Sequence, residues 1–315
     1  MRAIALWGAG LVMLVTLLSA VADGLTKHLS AGLPPAQLYF FCGLLVTISS
    51  LGLNRCGLGP SGSLRTRFRG LLVLRSLLVI ASVVSYYYAF VRLPLAEVFV
   101  FIGMMPLIAA FLSAPLLHEG VAPVAWTALL IGGAGVIFLF PEGVADMGLG
   151  HLFALSGVMS GTLSLVLMRR MSKAEPNALA QVFWPHTGLC LVMGLALPFV
   201  WVPMSWADAG LVACYSAAIL GARWLMVPAL TRLPAHVATM LLNLQFVWMV
   251  GLDWMAFDGL PGLSVILGAL CIVASGLILI FEQARQREGV ADPPGTALRA
   301  PRTMRSSATV LTPAE

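Results

Sequence analysis

The sequence predicts an all-α integral membrane protein, with ten transmembrane helices arranged as two inverted five-helix repeats around a central cavity. Three observations predict this fold class: an apolar composition, a series of long apolar runs, and a match between the two halves of the chain. Of the 315 residues, 60% are hydrophobic and only 10% are charged, and the mean hydropathy is +0.96. Soluble domains are about half apolar and about a quarter charged. This composition argues against a soluble enzyme, a nucleic-acid binder and a disordered chain.

The apolar runs have the length of membrane-spanning helices, which take about 20 residues each. A transmembrane barrel would instead show short segments of alternating polarity. We predict spans at 4–22, 35–53, 70–90, 94–117, 122–140, 150–170, 178–201, 208–228, 235–256 and 261–281. Residues 283–315 are rich in Pro, Arg, Ser and Ala without an apolar period, which predicts a disordered tail. The first run also resembles a signal peptide, but the internal repeat needs it as a span.

The basic residues lie mostly on one side of the predicted spans. That side, which includes both termini, carries 14 of the 18 Lys and Arg residues, and the opposite side carries only Lys27 and Arg92. The other two, Arg75 and Arg223, fall within spans. Short loops that face the cytoplasm are enriched in Lys and Arg. We therefore expect both termini in the cytoplasm and a location in the bacterial inner membrane.

The two halves of the chain match at a nearly constant offset of 140 to 144 residues. The matching segments are 27–30 with 169–172, 36–40 with 180–184, 89–94 with 229–234, and 135–140 with 276–281. These matches predict one five-helix repeat over 1–143 and a second over 144–282, before the cytoplasmic tail at 283–315. Because five is odd, the second repeat enters the membrane upside down. Inverted repeats are typical of secondary transporters, whose two halves can pack in two ways, each open to one side.

Several motifs resemble the EamA type of the drug/metabolite transporter superfamily. They are residues 88–97, the Met105, Pro106 and Leu107 triplet in span four, residues 117–120, and the glycine-rich residues 132–136 in span five. The resemblance covers about 4–282. It implies ten helices, with spans one to four and six to nine lining the cavity and spans five and ten behind them. The expected substrate is a small organic metabolite, such as an amino-acid-like compound, a vitamin or a nucleoside-like cofactor.

Ionisable and polar residues deep in the second half are the candidates for substrate binding, because such groups are costly inside a membrane. They are His186, Trp184, Arg223, Gln245 and Asn243. His186 can bind the solute or relay a proton, or it can be a neutral imidazole satisfied by a neighbouring helix or by the carbonyl freed at Pro185. Arg223 favours an anionic or zwitterionic solute if it faces the cavity, but it can instead snorkel to the interface.

The other candidates have equally plain alternatives. Trp184 can stack on a ring-bearing substrate, whereas the Tyr86 to Tyr88 run fits an interfacial aromatic belt better. Asn243 and Gln245 can bond a solute or another helix. For Arg75, snorkelling is the favoured interpretation.

Four residues are candidates for gating or coupling. Glu97 and Asp253 lie near the outer ends of their spans, where each is a gate residue or a wetted carboxylate. Asp23 lies four residues before Lys27, so on a helix the two would face each other as a pair. Pro106 lies inside span four and can form a hinge, since proline removes a helical hydrogen bond.

Other functions and partners fit the sequence less well. An enzyme acting on lipid would need a cluster of nucleophile, acid or metal ligands at one interface, and the five histidines are widely separated. A non-transporting scaffold would not need an inverted repeat. We expect no enzyme activity, no nucleotide-driven step, no cofactor, no metal and no nucleic acid. The partners we expect are a small solute and the lipid bilayer, and the recurring glycines fit tight helix packing or a homodimer contact.

Overall fold

The computed structural model describes residues 2–56, 64–93, 95–117, 123–137, 148–175 and 177–233, with scattered residues between 238 and 278. The helices are α1 (Arg2–Leu29), α2 (Pro35–Arg55), α3 (Arg69–Arg92), α4 (Leu95–Gly103), α5 (Met105–Leu117), α6 (Pro123–Ile137), α7 (Leu149–Ala174), α8 (Ala178–Val200) and α9 (Trp206–Arg232). Among the described residues, six helices are long and apolar enough to cross a membrane: α1 from Trp7, α2, α3, α7, α8 and α9. These findings confirm the all-helical membrane class.

Three parts of the predicted organisation lie outside the described residues. They are most of spans nine and ten and the whole tail at 283–315. The count of ten spans therefore stays a prediction.

The fourth predicted span is divided into two helices. Helix α4 ends at Gly103 and α5 begins at Met105, with Met104 in a turn between them. Pro106 is buried in the first turn of α5, where a missing backbone N–H breaks no helical bond. The break that the sequence places near Pro106 therefore lies two residues earlier, and the role of Pro106 as a hinge stays a prediction.

The main helix contacts join the two halves of the chain. Helix α1 packs chiefly on α9, α3 on α7, and α2 on α8. At the α2–α8 crossing, a β-carbon placed on Gly43 would lie 2.7 Å from the His186 carbonyl oxygen and 2.8 Å from the Cys190 nitrogen. Only glycine permits this backbone approach.

One end of the bundle, which we call the Lys27 end, brings together the last turns of α1 and α3 and the start of α7. The Lys27 ammonium donates to the carbonyls of Phe90 and Leu93, the latter at 3.1 Å. Residue 94 is proline and has no N–H to donate to the Phe90 carbonyl, so Lys27 replaces the missing helical donor. A β-carbon on Gly150 would lie 2.7 Å from Leu93 Cγ.

The opposite end, which we call the Arg169 end, repeats these contacts with residues of the other half. The Arg169 guanidinium donates to the Leu230 carbonyl, and residue 234 is again proline. Gly8 packs on the residue that caps α9, since a β-carbon there would lie 3.2 Å from Leu233 Cγ. At both ends, therefore, a basic side chain donates to a backbone carbonyl and a glycine packs against a leucine.

The helix ends themselves also correspond. Helix α3 is capped by Leu93 at φ −120° and ψ 152°, and α9 is capped by Leu233 at φ −119° and ψ 144°. Arg92 donates to the carbonyl four residues before it at 3.3 Å, and Arg232 does the same at 2.7 Å. The offset of 140 residues in the sequence is thus matched by local backbone geometry.

Candidate functional site

The central polar group is built on α1, α9 and Gln245. The Gln245 amide donates to the Asp23 carboxylate at 2.5 Å. The Arg223 guanidinium lies within electrostatic range of the same carboxylate. The structure therefore brings together three residues that the sequence selected separately, one as a coupling residue and two as substrate contacts.

Two expectations for these charged groups are corrected. The spacing of Asp23 and Lys27 predicts a pair, whereas the structure directs Asp23 to Gln245 and Lys27 to backbone carbonyls. Helix α9 continues to Arg232, which places Arg223 about 13 Å from the helix end at 1.5 Å per residue. A guanidinium at that depth is poorly placed to snorkel.

A layer of tyrosines and a thiol lies beside the charged groups. The Tyr39 ring lies 6.1 Å from Tyr87 and 6.4 Å from Tyr215, centroid to centroid. The Cys42 thiol lies near the Ser216 side chain and within electrostatic range of Arg223. Sequence reasoning missed this layer because aromatic and thiol side chains inside apolar runs look like ordinary packing residues.

Two of the three tyrosines at the end of α3, Tyr86 and Tyr87, have buried hydroxyls and do not form the interfacial belt that their position predicted. Tyr87 is buried, and its hydroxyl donates to the Leu33 carbonyl at 2.5 Å. The buried Tyr86 hydroxyl has no hydrogen-bond partner within the described part of the chain, although it lies within electrostatic range of Asp23 and Arg223. The indole N–H of Trp224 is likewise buried without a described partner. Buried donors of this kind call for an explanation, such as a bound solute or water.

His186 is held by its own helix. Its Nδ1 lies 2.8 Å from the Val182 carbonyl oxygen, and the side chain is buried. Pro185 leaves the Gln181 carbonyl without its helical donor, and Arg75 donates to that carbonyl. Arg75 is only 2% exposed, so the expectation that it snorkels is wrong. The imidazole therefore has a structural bond in place, and its role in binding stays a prediction.

Trp184 lies away from the central polar group. Its indole N–H donates to the Leu64 carbonyl at 2.8 Å, and its ring is 42% exposed. The ring lines a groove between α3 and α8 with a volume of 640 Å³. The structure thus places Trp184 at the outer surface of the bundle, and stacking on a substrate stays a prediction.

Three candidates are not described in atomic detail. Asn243 and Asp253 lie outside the described residues, as does the side chain of Glu97, whose backbone belongs to α4. Their proposed roles stay predictions. Within the described part of the chain, no group of three or more His, Cys, Asp or Glu side chains could hold a metal ion.

Comparisons with known proteins give a family match over the first half, two relatives and a shared fold. Residues 6–140 match the EamA-like transporter family. Two relatives, both named Pseudopaline exporter CntI and both from Pseudomonas aeruginosa (strains UCBPP-PA14 and PAO1), are 23% identical over 280 residues, which cover 86% of this chain and 95% of theirs. A crystal structure of another protein shares the fold, with a TM-score of 0.69 at 17% identity. The match covers 91% of this chain and 99% of that one.

The family match confirms the resemblance that the motifs of the first half indicated. It also accounts for the apolar helices and for a polar group buried among them. Residues 6–140 therefore match the EamA-like transporter family, and the apolar helices are those of a multi-pass membrane protein.

Proposed function

We propose that this chain moves a small zwitterionic organic solute across the bacterial inner membrane by alternating access. The observation that carries the proposal is the position of a carboxylate, Asp23, within electrostatic range of a guanidinium, Arg223, inside the helix bundle. Charged groups inside a membrane mark substrate pathways. An amino-acid-like solute would place its amine on Asp23 and its carboxylate on Arg223, with Gln245 fixing the orientation of Asp23.

The aromatic surroundings of the charges favour an organic solute over an inorganic ion. Tyr86 and Trp224 each offer a buried donor without a described partner, and Tyr39 and Tyr215 add ring surface near Arg223. Solute pockets are mostly apolar with a few polar groups that fix orientation. A zwitterion with an apolar or ring-bearing side chain fits this combination best.

The matched contacts at the two ends support the inverted repeat, with 1–143 as the first unit and 144–282 as the second. A cation on a carbonyl and a glycine on a leucine occur at each end in corresponding positions. The excess of Lys and Arg supports a cytoplasmic Arg169 end and cytoplasmic termini. The name of the two relatives supports export as the direction, and membership of a transporter family supports the absence of enzyme activity.

The test is transport by the purified chain in sealed proteoliposomes, measured with a panel of radiolabelled amino acids. We expect Asp23→Asn and Arg223→Gln each to reduce zwitterion transport about tenfold to hundredfold, since a hydrogen bond to a charged group contributes about 1.5–3 kcal/mol. Arg170→Gln is the matched control, because Arg170 is exposed on α7.

Solutes with one charge sharpen the assignment. An amine without a carboxylate should lose transport in Asp23→Asn but keep it in Arg223→Gln, and a carboxylate without an amine should show the opposite pattern. Wild-type transport rates for every solute in both variants would contradict the proposal.

A further inference from the structure

The groove between α3 and α8 lies outside the polar group assigned to the solute. Its lining residues come from the segment before α3, from one face of α3 and from one face of α8: Leu64, Arg65, Thr66, Arg69, Leu72, Val73, Ser76, Leu77, Ile80, Trp184, Thr187, Gly188, Leu191 and Val192. Its volume is 640 Å³, within the usual range of ligand pockets, about 300–1,000 Å³. The groove therefore has the size of a binding site.

The groove is divided into a basic end and an apolar length. Arg65 and Arg69, both exposed, lie at the end where α3 begins. From Arg69 to Ile80 the lining of α3 extends about 16 Å at 1.5 Å per residue. One leaflet of a bilayer has a hydrocarbon depth of about 15 Å, half of the whole core. The groove thus has the length of one leaflet, with its charge at the headgroup level.

Hydrogen bonds hold the basic end in place before any ligand arrives. Trp184 donates to the Leu64 carbonyl at 2.8 Å, and Asn177 donates to the Arg65 carbonyl at 3.1 Å. The nearby carboxylate, Glu175, accepts hydrogen bonds from Thr66 and Asn177, each at 3.3 Å. The segment before α3 is therefore fixed as one wall of the groove.

We propose that this groove binds one anionic phospholipid from the leaflet at the Arg169 end. The acyl chain lies along Val73, Leu77 and Leu191, and the phosphate lies against Arg65 and Arg69. Basic pockets between transmembrane helices at the cytoplasmic side recognise anionic headgroups in this way. Because the site is shared by α3 of the first half and α8 of the second, the bound lipid would support the contact between the halves.

The experiment measures lipid binding to the full chain in detergent, by native mass spectrometry and by the shift in melting temperature. The probes are phosphatidylglycerol and phosphatidylcholine with identical acyl chains. We expect tighter binding and a larger stabilisation by phosphatidylglycerol. Arg69→Gln should weaken phosphatidylglycerol binding about fivefold, since one basic residue near an anionic surface contributes about 1 kcal/mol.

Two comparisons between variants distinguish lipid binding in this groove from lipid binding to the general membrane-facing surface. Leu77→Trp fills the groove and should weaken both lipids, whereas Leu74→Trp, at an exposed position of α3 outside the lining, should weaken neither. Arg170→Gln removes an exposed charge at the same end and should leave the preference for phosphatidylglycerol intact.

Three results would overturn the proposal. The first is equal binding of the two phospholipids, and the second is equal behaviour of Leu77→Trp and Leu74→Trp. The third is a dimer in solution that Leu77→Trp dissociates, because a second copy would then occupy the groove. None of these results depends on the solute, so a failure here leaves the transport proposal unaffected.

Discussion

The Lys27 end and the Arg169 end contain the same kinds of contact, placed at corresponding positions of the two halves. At each end a basic side chain donates to the carbonyl that lies four residues before a proline. A glycine packs on the leucine directly before that proline. The details differ. Lys27 is partly exposed and bridges two carbonyls, whereas Arg169 is only 6% exposed and binds the Leu230 carbonyl. The glycine contact is tighter at the Lys27 end.

In the proposed alternating-access mechanism, this difference determines which of the two states is more populated at rest. If the two halves were identical, the two ends would open with equal free energy, and the populations of the two states would be equal. When the contacts at one end are stronger than those at the other, the state in which that end is closed is more populated. The contrast between the ends therefore predicts which contacts control the inward and outward states.

The largest expected effect is all-or-none and concerns orientation. In a chain with its five natural cysteines replaced by serine, Arg92→Cys and Arg232→Cys should react with an impermeant maleimide from opposite faces of the membrane. Only Arg92→Cys should be labelled in intact cells, and Arg232→Cys should need permeabilised cells. Arg170→Cys serves as the control for the Arg169 end. Labelling of both positions from one face would remove the basis for comparing the ends.

The next effect concerns the two cations. Arg169→Met should lower the free energy of unfolding by about 2 kcal/mol, because it leaves the buried Leu230 carbonyl without its donor. Lys27→Met should lower it by about 1 kcal/mol, since water can reach this partly exposed position. Thermal unfolding in detergent measures both, and Arg170→Met, next to Arg169 but exposed, should have little effect. An equal loss in Arg169→Met and Lys27→Met would show that the burial of the cation does not matter.

The sequence predicted the helices well because membrane spans have a strong signal. Six predicted spans correspond to long apolar helices, and the starts of α2 and α8 agree with the prediction. The break at Met104 was not predictable, because its signal, a nearby proline, points only to the neighbourhood. Helix lengths were underestimated for α1 and α9, whose polar last turns continue past the apolar run.

The candidate site was predicted in part. Asp23, Arg223 and Gln245 were selected because charged and amide groups are rare in spans, but their meeting depends on the packing of α1 on α9. Arg75 and Lys27 were misassigned because the sequence does not show that a proline elsewhere leaves a carbonyl for them. Tyr86 and Trp224 were missed because only the folded chain reveals a buried donor without a described partner.

A smaller effect should distinguish the two glycine contacts. Gly150→Ala should lower the free energy of unfolding by about 1–2 kcal/mol, because the added methyl group would overlap Leu93. Gly8→Ala should be nearly neutral, since its contact at 3.2 Å is longer and alanine favours the helix by about 0.5–1 kcal/mol. Gly10→Ala, with nothing within 4 Å, is the control for this helix preference. A larger loss in Gly8→Ala than in Gly150→Ala would reverse the assigned order of the two ends.

The smallest effect concerns a hydrogen-bonded pair at the Lys27 end. The Gln37 amide donates to the Val202 carbonyl at 2.8 Å and accepts from its N–H at 3.0 Å, so it ties α2 to the segment before α9. Its counterpart Gln181 contacts Ser172 within its own half. Gln37→Ala should therefore open the Lys27 end, whereas Gln181→Ala should not.

The reactivity of Cys42 reports this opening, because the thiol is buried on α2 beside the proposed solute site. With the other four cysteines replaced, an impermeant thiol reagent should modify Cys42 about fivefold faster in Gln37→Ala, which corresponds to the loss of about 1 kcal/mol of hydrogen bonding. The rate in Gln181→Ala should stay at the starting value or fall. Equal acceleration in both variants would mean that the amides stabilise the whole bundle and do not close one end of it.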